Sequence, residues 1–182
     1  ATAISARTAR TMPIDDRLLR RLRRELEARV PTVARLTGLP VRPWTLEWST
    51  ETPVAAAYAD SGRIILNYGW FENHPDDYGA LVHEYTHVIQ NVPGGTYPGE
   101  TIEGFADAVR YMMGEYPSWW SPSPEARRIA SMSNEERIAL SRAMALQVRA
   151  GEAGFDWTDV AGPLAKVIEE HDELVRALAS DA

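Results

Sequence analysis

Leucines and a valine at Leu18, Leu19, Leu22, Leu26 and Val30 fall on one face of a helix, while Arg17, Arg20, Arg21, Arg23 and Arg24 crowd the opposite face. Asp15 or Asp16 stands where an N-cap belongs, so the pattern predicts a first amphipathic helix from that point. Residues 1–13 are small and polar without a period and read as a flexible tail ending at Pro13. Between Gly38 and Phe71 the signal changes to that of strands: WTLEW alternates, VAAAY is short and apolar, and RIILNY follows the turn ADSG. Two or three antiparallel strands are expected there. In the loop NHPDD that follows, Asp76 or Asp77 can cap a helix running from about Tyr78 to Asn91, where VPGG must stop it.

Beyond the break GGTYPGE, the stretch TIEGFADAVRYMMGEY carries a buried helical face of Ile102, Phe105, Ala106, Val109 and Met113, with Pro117 to end it. PSWWSPSP reads as a rigid aromatic loop, and Ser133 with Glu136 has the spacing of a capping box, opening a helix to about Ala150. After GEAGFDW a last helix is expected from Thr158 or Pro163 to Ala179. The class is therefore α+β: a small mixed or antiparallel sheet packed on a central helix, with a mainly helical C-terminal part. Residues 14–182 are expected to form one domain, with helix, sheet and central helix in 14–92 and the helical part in 93–182.

Composition narrows the chemistry. A length of 182 residues with 45% hydrophobic content suits one domain. A formal charge of -7 and a pI near 5.1 oppose general affinity for nucleic acid or anionic lipid, since the net field repels both. The arginine face of the first helix, interleaved with Glu25 and Glu27, reads as a solvated surface. There is no cysteine, so any metal must be held by histidine, carboxylate or water. No apolar run approaches the ~20 residues of a membrane span. The chain begins at Ala1 without a methionine, as a mature secreted product or a trimmed chain would.

The segment LVHEYTHVIQ, residues 81–90, carries the most specific pattern. His83 and His87 lie one helical turn apart on one side, and Glu84, offset by about 100°, flanks the same spot, which is the geometry of a zinc peptidase helix. Leu81, Val82, Val88 and Ile89 would bury this helix, and two imidazoles with a carboxylate in such a setting need compensation that a dication supplies. A catalytic site of this kind takes a third protein ligand and leaves the fourth position to water. A histidine or aspartate six residues after the second histidine is ruled out, because that position is Pro93. The next helix instead offers Glu103, with Asp107 one turn later on the same side. Glu103 is assigned as third ligand and Asp107 as the acceptor that fixes a ligand histidine's tautomer, the two roles being open to exchange. His74 and His171 lack ligand partners at useful spacing and are read as surface residues.

LVHEYTHVIQ followed by IEGFADAVRYMMGEYPSWW resembles the basic secretory proteins, gluzincin-type peptidases of plants and bacteria. Their pattern runs H-E-x-T-H-x-x-Q and then E-G-x-A-D-x-V-R, and Thr86, Gln90, Gly104, Ala106, Val109 and Arg110 match it beyond the bare histidine motif. The likeness covers residues 44 to about 120 and reaches more weakly to Leu174. It implies a secreted, zincin-like zinc metallopeptidase with a small mixed sheet packed on helices. A monomer acting on a peptide or protein is expected, and charge and hydropathy predict no nucleic-acid or membrane partner. The acidic charge departs from the family's name and questions only roles that rest on basic charge.

On this reading Zn2+ on His83, His87 and Glu103 activates a water, and Glu84 takes its proton and delivers it to the leaving amine. Tyr97, Tyr111 and Arg110 are candidates to stabilise the oxyanion, though Arg110 is read first as a partner of Asp107. Substrate should bind extended along an edge strand above the histidine helix, for which RIILNY, with Ile64, Ile65 and Leu66, is the candidate. Trp119 and Trp120 could form a side-chain pocket, with loop packing the plainer alternative. The rival from another class is a zincin scaffold that binds a peptide or glycan without cleaving it; an intact Glu84 speaks against it.

Overall fold

A computed structural model describes residues 16–58, 61–91 and 99–152. The predicted tail, Tyr97, His171 and the expected last helix lie outside the described residues. Among the described residues the fold is α+β, mostly helical, with one three-stranded sheet.

Helix α1 (Asp16–Thr37) buries Leu22, Leu26, Val30 and Val33 and leaves its arginine face outside, as its pattern predicts. Parts of that face are paired with acids, Arg21 with Asp76 and Arg23 with Glu27. Strands β1 (Thr45–Ser49), β2 (Ala55–Tyr58) and β3 (Arg63–Asn67) form the sheet in the order β1-β3-β2. β2 and β3 pair antiparallel and β1 and β3 pair parallel, so the sheet is the mixed one of the two expected forms, and only the reading of every strand as antiparallel to its neighbour is corrected. The direction of the chain does reverse at each connection. It is the insertion of β3 between its two predecessors that makes the first pair parallel. Gly62, at φ +69°, permits this: a Cβ there would lie 2.3 Å from the Pro43 carbonyl oxygen, and the Gly62 carbonyl accepts from Thr45 N–H at 3.0 Å.

β3 is therefore the central strand, with Ile64 and Leu66 fully buried. A short helix, α2 (Tyr68–Asn73), follows at once where RIILNY was expected to continue extended; the Asn67 side chain caps it by accepting from Trp70 N–H at 2.8 Å. α3 (Tyr78–Gln90) begins at Asp77, whose carboxylate accepts from Ala80 N–H, and ends on Asn91 in the left-handed conformation, one residue before VPGG. α3 lies at the centre of the described residues: Leu81, Val82, Tyr85 and Val88 are fully buried, and it touches α1, β2 and β3 and two of the later helices.

α4 (Gly99–Met112) packs beside α3, burying Phe105, Ala106 and Val109. It stops short of Pro117, because Gly114 at φ +69° turns the chain and lets Glu115 N–H bond the Arg110 carbonyl. Within the aromatic loop, Ser123 caps a further helix, α5 (Pro124–Ala130), that its pattern did not reveal. α6 (Asn134–Glu152) opens with the expected capping box, Ser133 N–H to Glu136 at 2.8 Å and Glu136 N–H to Ser133 Oγ at 3.2 Å. Among the described residues no helix is long and apolar enough to cross a membrane.

Candidate metal and catalytic site

The helical repeat of α3 sets His83 and His87 side by side, ring centroids 4.7 Å apart, on the side that faces α4. Their Nε2 atoms are 3.1 Å from each other. Glu103, on the second turn of α4, reaches both: one carboxylate oxygen is 3.0 Å from His83 Nε2 and the other 3.5 Å from His87 Nε2. Asp107, one turn along α4, touches the opposite nitrogen of His83, accepting from Nδ1–H at 2.9 Å. Asp107 thus leaves the His83 Nε2 lone pair pointing at the other two donors. The possible exchange of roles between the two acids is not what the geometry favours, since Glu103 alone meets both Nε2 atoms.

These contacts suit a metal better than a hydrogen-bond network. Two imidazole nitrogens at 3.1 Å can share one proton at most, and a carboxylate oxygen beside each adds negative charge. Ligand atoms 2.0–2.2 Å from a common tetrahedral ion lie about 3.3–3.6 Å apart. The three donors of His83, His87 and Glu103 lie within 4.8 Å of one another, with closest approaches of 3.0, 3.1 and 3.5 Å. The donor set therefore fits a divalent cation, with the exposed side of Glu103 leaving an approach from solvent.

The electrostatics of the metal-free site agree. Burial pushes the His83 imidazole down, but hydrogen bonds to Asp107 and Glu103 outweigh it and raise the pKa to about 9. Hydrogen bonds from His83 and His87 hold the Glu103 carboxyl far below the usual range. Glu84 goes the other way: burial raises its pKa against the opposing pull of both histidines, and the backbone N–H of Ala57 donates to it. That bond ties the edge strand β2 to the site.

The antiparallel register explains the tie. Val54 bonds Asn67, and the pairs Ala56↔Ile65 and Tyr58↔Arg63 continue the same alternation, so the backbone groups of Ala55 and Ala57 point away from β3. The open edge over α3 is therefore β2. The expectation that Ile64, Ile65 and Leu66 offer that edge is wrong: they sit in the central strand, with both sides paired.

Other expected residues divide. Arg110 does not bond Asp107; its Nη2 donates to Asp77 Oδ1 and its Nε to the Glu115 carbonyl, both at 3.3 Å, and its guanidinium lies 4.5 Å from the ring centre of Trp120. Asp77 is nearer because Arg110 projects toward the start of α3, where the carboxylate that caps it also accepts from Trp70 Nε1 at 3.0 Å. Tyr111 is exposed and pairs with Tyr116 at 5.5 Å, away from the cavity beside Glu84. Trp119 and Trp120 do line that cavity, together with His83, Glu84, Asp107 and Arg110. His74 is no plain surface residue: it is half-buried, with its ring stacked on Trp70 at 4.1 Å. Pattern reading missed the pairing of Asp77 with Arg110 and the role of β2. The only local hint of the first was the candidacy of Asp77 as a helix cap.

Residues 52–136 match the profile of the basic secretory protein family, described as "Peptidase of plants and bacteria". The family expected from the sequence is the family found. The matched span runs from just before β2 into α6 and includes His83, Glu84, His87, Glu103, Asp107 and Arg110. No curated protein and no solved structure matches the chain.

Proposed function

We propose that this protein is a zincin-like, zinc-dependent metallopeptidase that hydrolyses peptide bonds. The observation that carries the reading is the meeting of His83 Nε2, His87 Nε2 and the two Glu103 carboxylate oxygens at 3.0–3.5 Å, with the half-buried Glu84 next in sequence to the first of them. The match to a peptidase family over the same residues supports it. When bound there, zinc would act as a Lewis acid and make water a stronger acid, toward a pKa of ~7.

The chain's own residues supply the rest. His83, His87 and Glu103 hold the ion, and Asp107 keeps His83 in the tautomer that can ligate. Glu84 is the general base: its burial raises the carboxyl's proton affinity toward the range in which it can both accept a proton from the attacking water and return it to the leaving amine. The outward backbone groups of Ala55 and the carbonyl of Ala57, whose N–H is taken by Glu84, offer a peptide an extended partner beside that carboxyl. Among the described candidates for stabilising the oxyanion, Arg110 alone lines the cavity, and its guanidinium is already committed to Asp77 and Glu115.

The test compares metal content and cleavage of an unstructured protein such as casein for the parent and Glu84→Gln. Zinc in both with cleavage by the parent alone is expected. Zinc in both with cleavage by neither, across a broad peptide library, would make the chain a binding module instead.

A further inference from the structure

The cavity beside Glu84 has a volume of about 330 Å³ and two unlike walls. His83, Glu84 and Asp107 form the reactive one. The indoles of Trp70, Trp119 and Trp120 form the other, with Ala55 of the β2 edge also lining the cavity. The polar atom of Trp70 is already used by Asp77 at 3.0 Å, and its ring meets Trp119 edge to face at 5.8 Å. Trp119 is 60% exposed, a large apolar area that nothing among the described residues covers. The two charges in the wall, Asp77 and Arg110, bond each other and so cancel. Away from His83, Glu84 and Asp107, an occupant therefore meets indole faces and no unopposed charge.

The size is at the lower end for ligand pockets, room for one large side chain. Its position supplies the occupant: a peptide laid along the outward groups of Ala55 and the free carbonyl of Ala57 points alternate side chains to either face, and one of those nearest Glu84 would enter this cavity. Resting on the peptidase reading, we propose that the Trp70–Trp119–Trp120 cavity is the specificity pocket, taking a bulky apolar side chain, aromatic or leucine, adjacent to the bond cleaved. Trp119, the least packed of the three, is the residue that selects.

Cleavage of a random peptide library by the zinc-equilibrated protein, read by mass spectrometry, should enrich Phe, Tyr, Trp or Leu about 10- to 100-fold over Ala, Asp and Lys at one position flanking the cut. Trp119→Ala should flatten that preference and Trp119→Phe restore most of it. A preference for charged side chains, or an apolar preference that Trp119→Ala leaves intact, overturns the proposal. Binding is read separately, by indole fluorescence of zinc-equilibrated Glu84→Gln protein with acetyl-Ala-Ala-Phe-Ala-amide and acetyl-Ala-Ala-Asp-Ala-amide. Tighter binding of the Phe peptide without any cleavage by the parent sinks the peptidase reading and keeps the pocket. Equal binding of the two peptides sinks the pocket, whether or not the parent cuts.

Discussion

Replacing Arg110 with methionine should loosen the joint between the two helices that carry the site. The Arg110 and Asp77 side chains are only 9% and 4% exposed, so the substitution strands a buried carboxylate without its counter-charge. Removing one partner of a buried pair costs about 3–5 kcal/mol. Asp77 keeps two neutral donors, Trp70 Nε1 and Ala80 N–H, and the pair's 3.3 Å separation is long, which together favour the lower end, about 3 kcal/mol. Loss of the guanidinium from the face of Trp120 adds about 1 kcal/mol. Urea titration with chelator present measures the sum, about 4 kcal/mol, which lowers the thermal midpoint by roughly 8–16 °C in a chain of this size. The double variant Arg110→Met, Asp77→Asn removes both charges and should fall short of additivity by about 2 kcal/mol. A loss under ~0.5 kcal/mol for Arg110→Met, or strict additivity in the cycle, would refute the reasoning.

Gly79→Ala tests how closely α4's end presses on α3, because an added Cβ would lie 1.7 Å from the Glu115 carbonyl oxygen and 2.5 Å from Arg110 Nε. Helix propensity alone predicts a gain of about 1 kcal/mol; the clash predicts a loss of about 3 kcal/mol in the same urea experiment, so the sign decides. Asp107→Asn should weaken zinc binding about 10- to 100-fold in competition with a chromophoric chelator, with the unfolding midpoint of the metal-free protein changed far less; unaltered affinity would remove its orienting role. The metal-free protein should also lose stability with rising pH: His83, raised from 6.5 to about 9 by Asp107 and Glu103 in spite of burial, stabilises the fold fully below 6.5 and loses that contribution through about 9. A chelator-treated midpoint that rises over this window, or a fall that His83→Gln retains, would contradict the assignment.

What was legible in the sequence is what a short stretch of chain encodes. His83, Glu84 and His87 are fixed relative to each other by one helical turn, and Glu103 with Asp107 by another, so both halves of the site could be read before the helices were seen to meet. The capping box at Ser133 and Glu136 is local in the same sense. Strand order is not: each reversal of direction was visible, but the insertion of β3 depends on Gly62 meeting Pro43. The apolar run of Ile64, Ile65 and Leu66 looked like a binding edge, yet its apolarity reflects a central position, while the small alanines of β2 allow α3 to approach the true edge. The bond between Asp77 and Arg110 joins residues 33 apart, beyond any periodicity. Helices α2 and α5, with 6 and 7 residues, are too short to develop one, although Ser123 before Pro124 is a start signal that could have been read.

Anomalous diffraction at the zinc edge from crystals grown with zinc tests the central claim most directly. One strong peak should lie about 2.0–2.2 Å from His83 Nε2, His87 Nε2 and a Glu103 oxygen, with Asp107 still on His83 Nδ1. No peak between α3 and α4, or a peak from whose ligands Glu103 is missing, would contradict it.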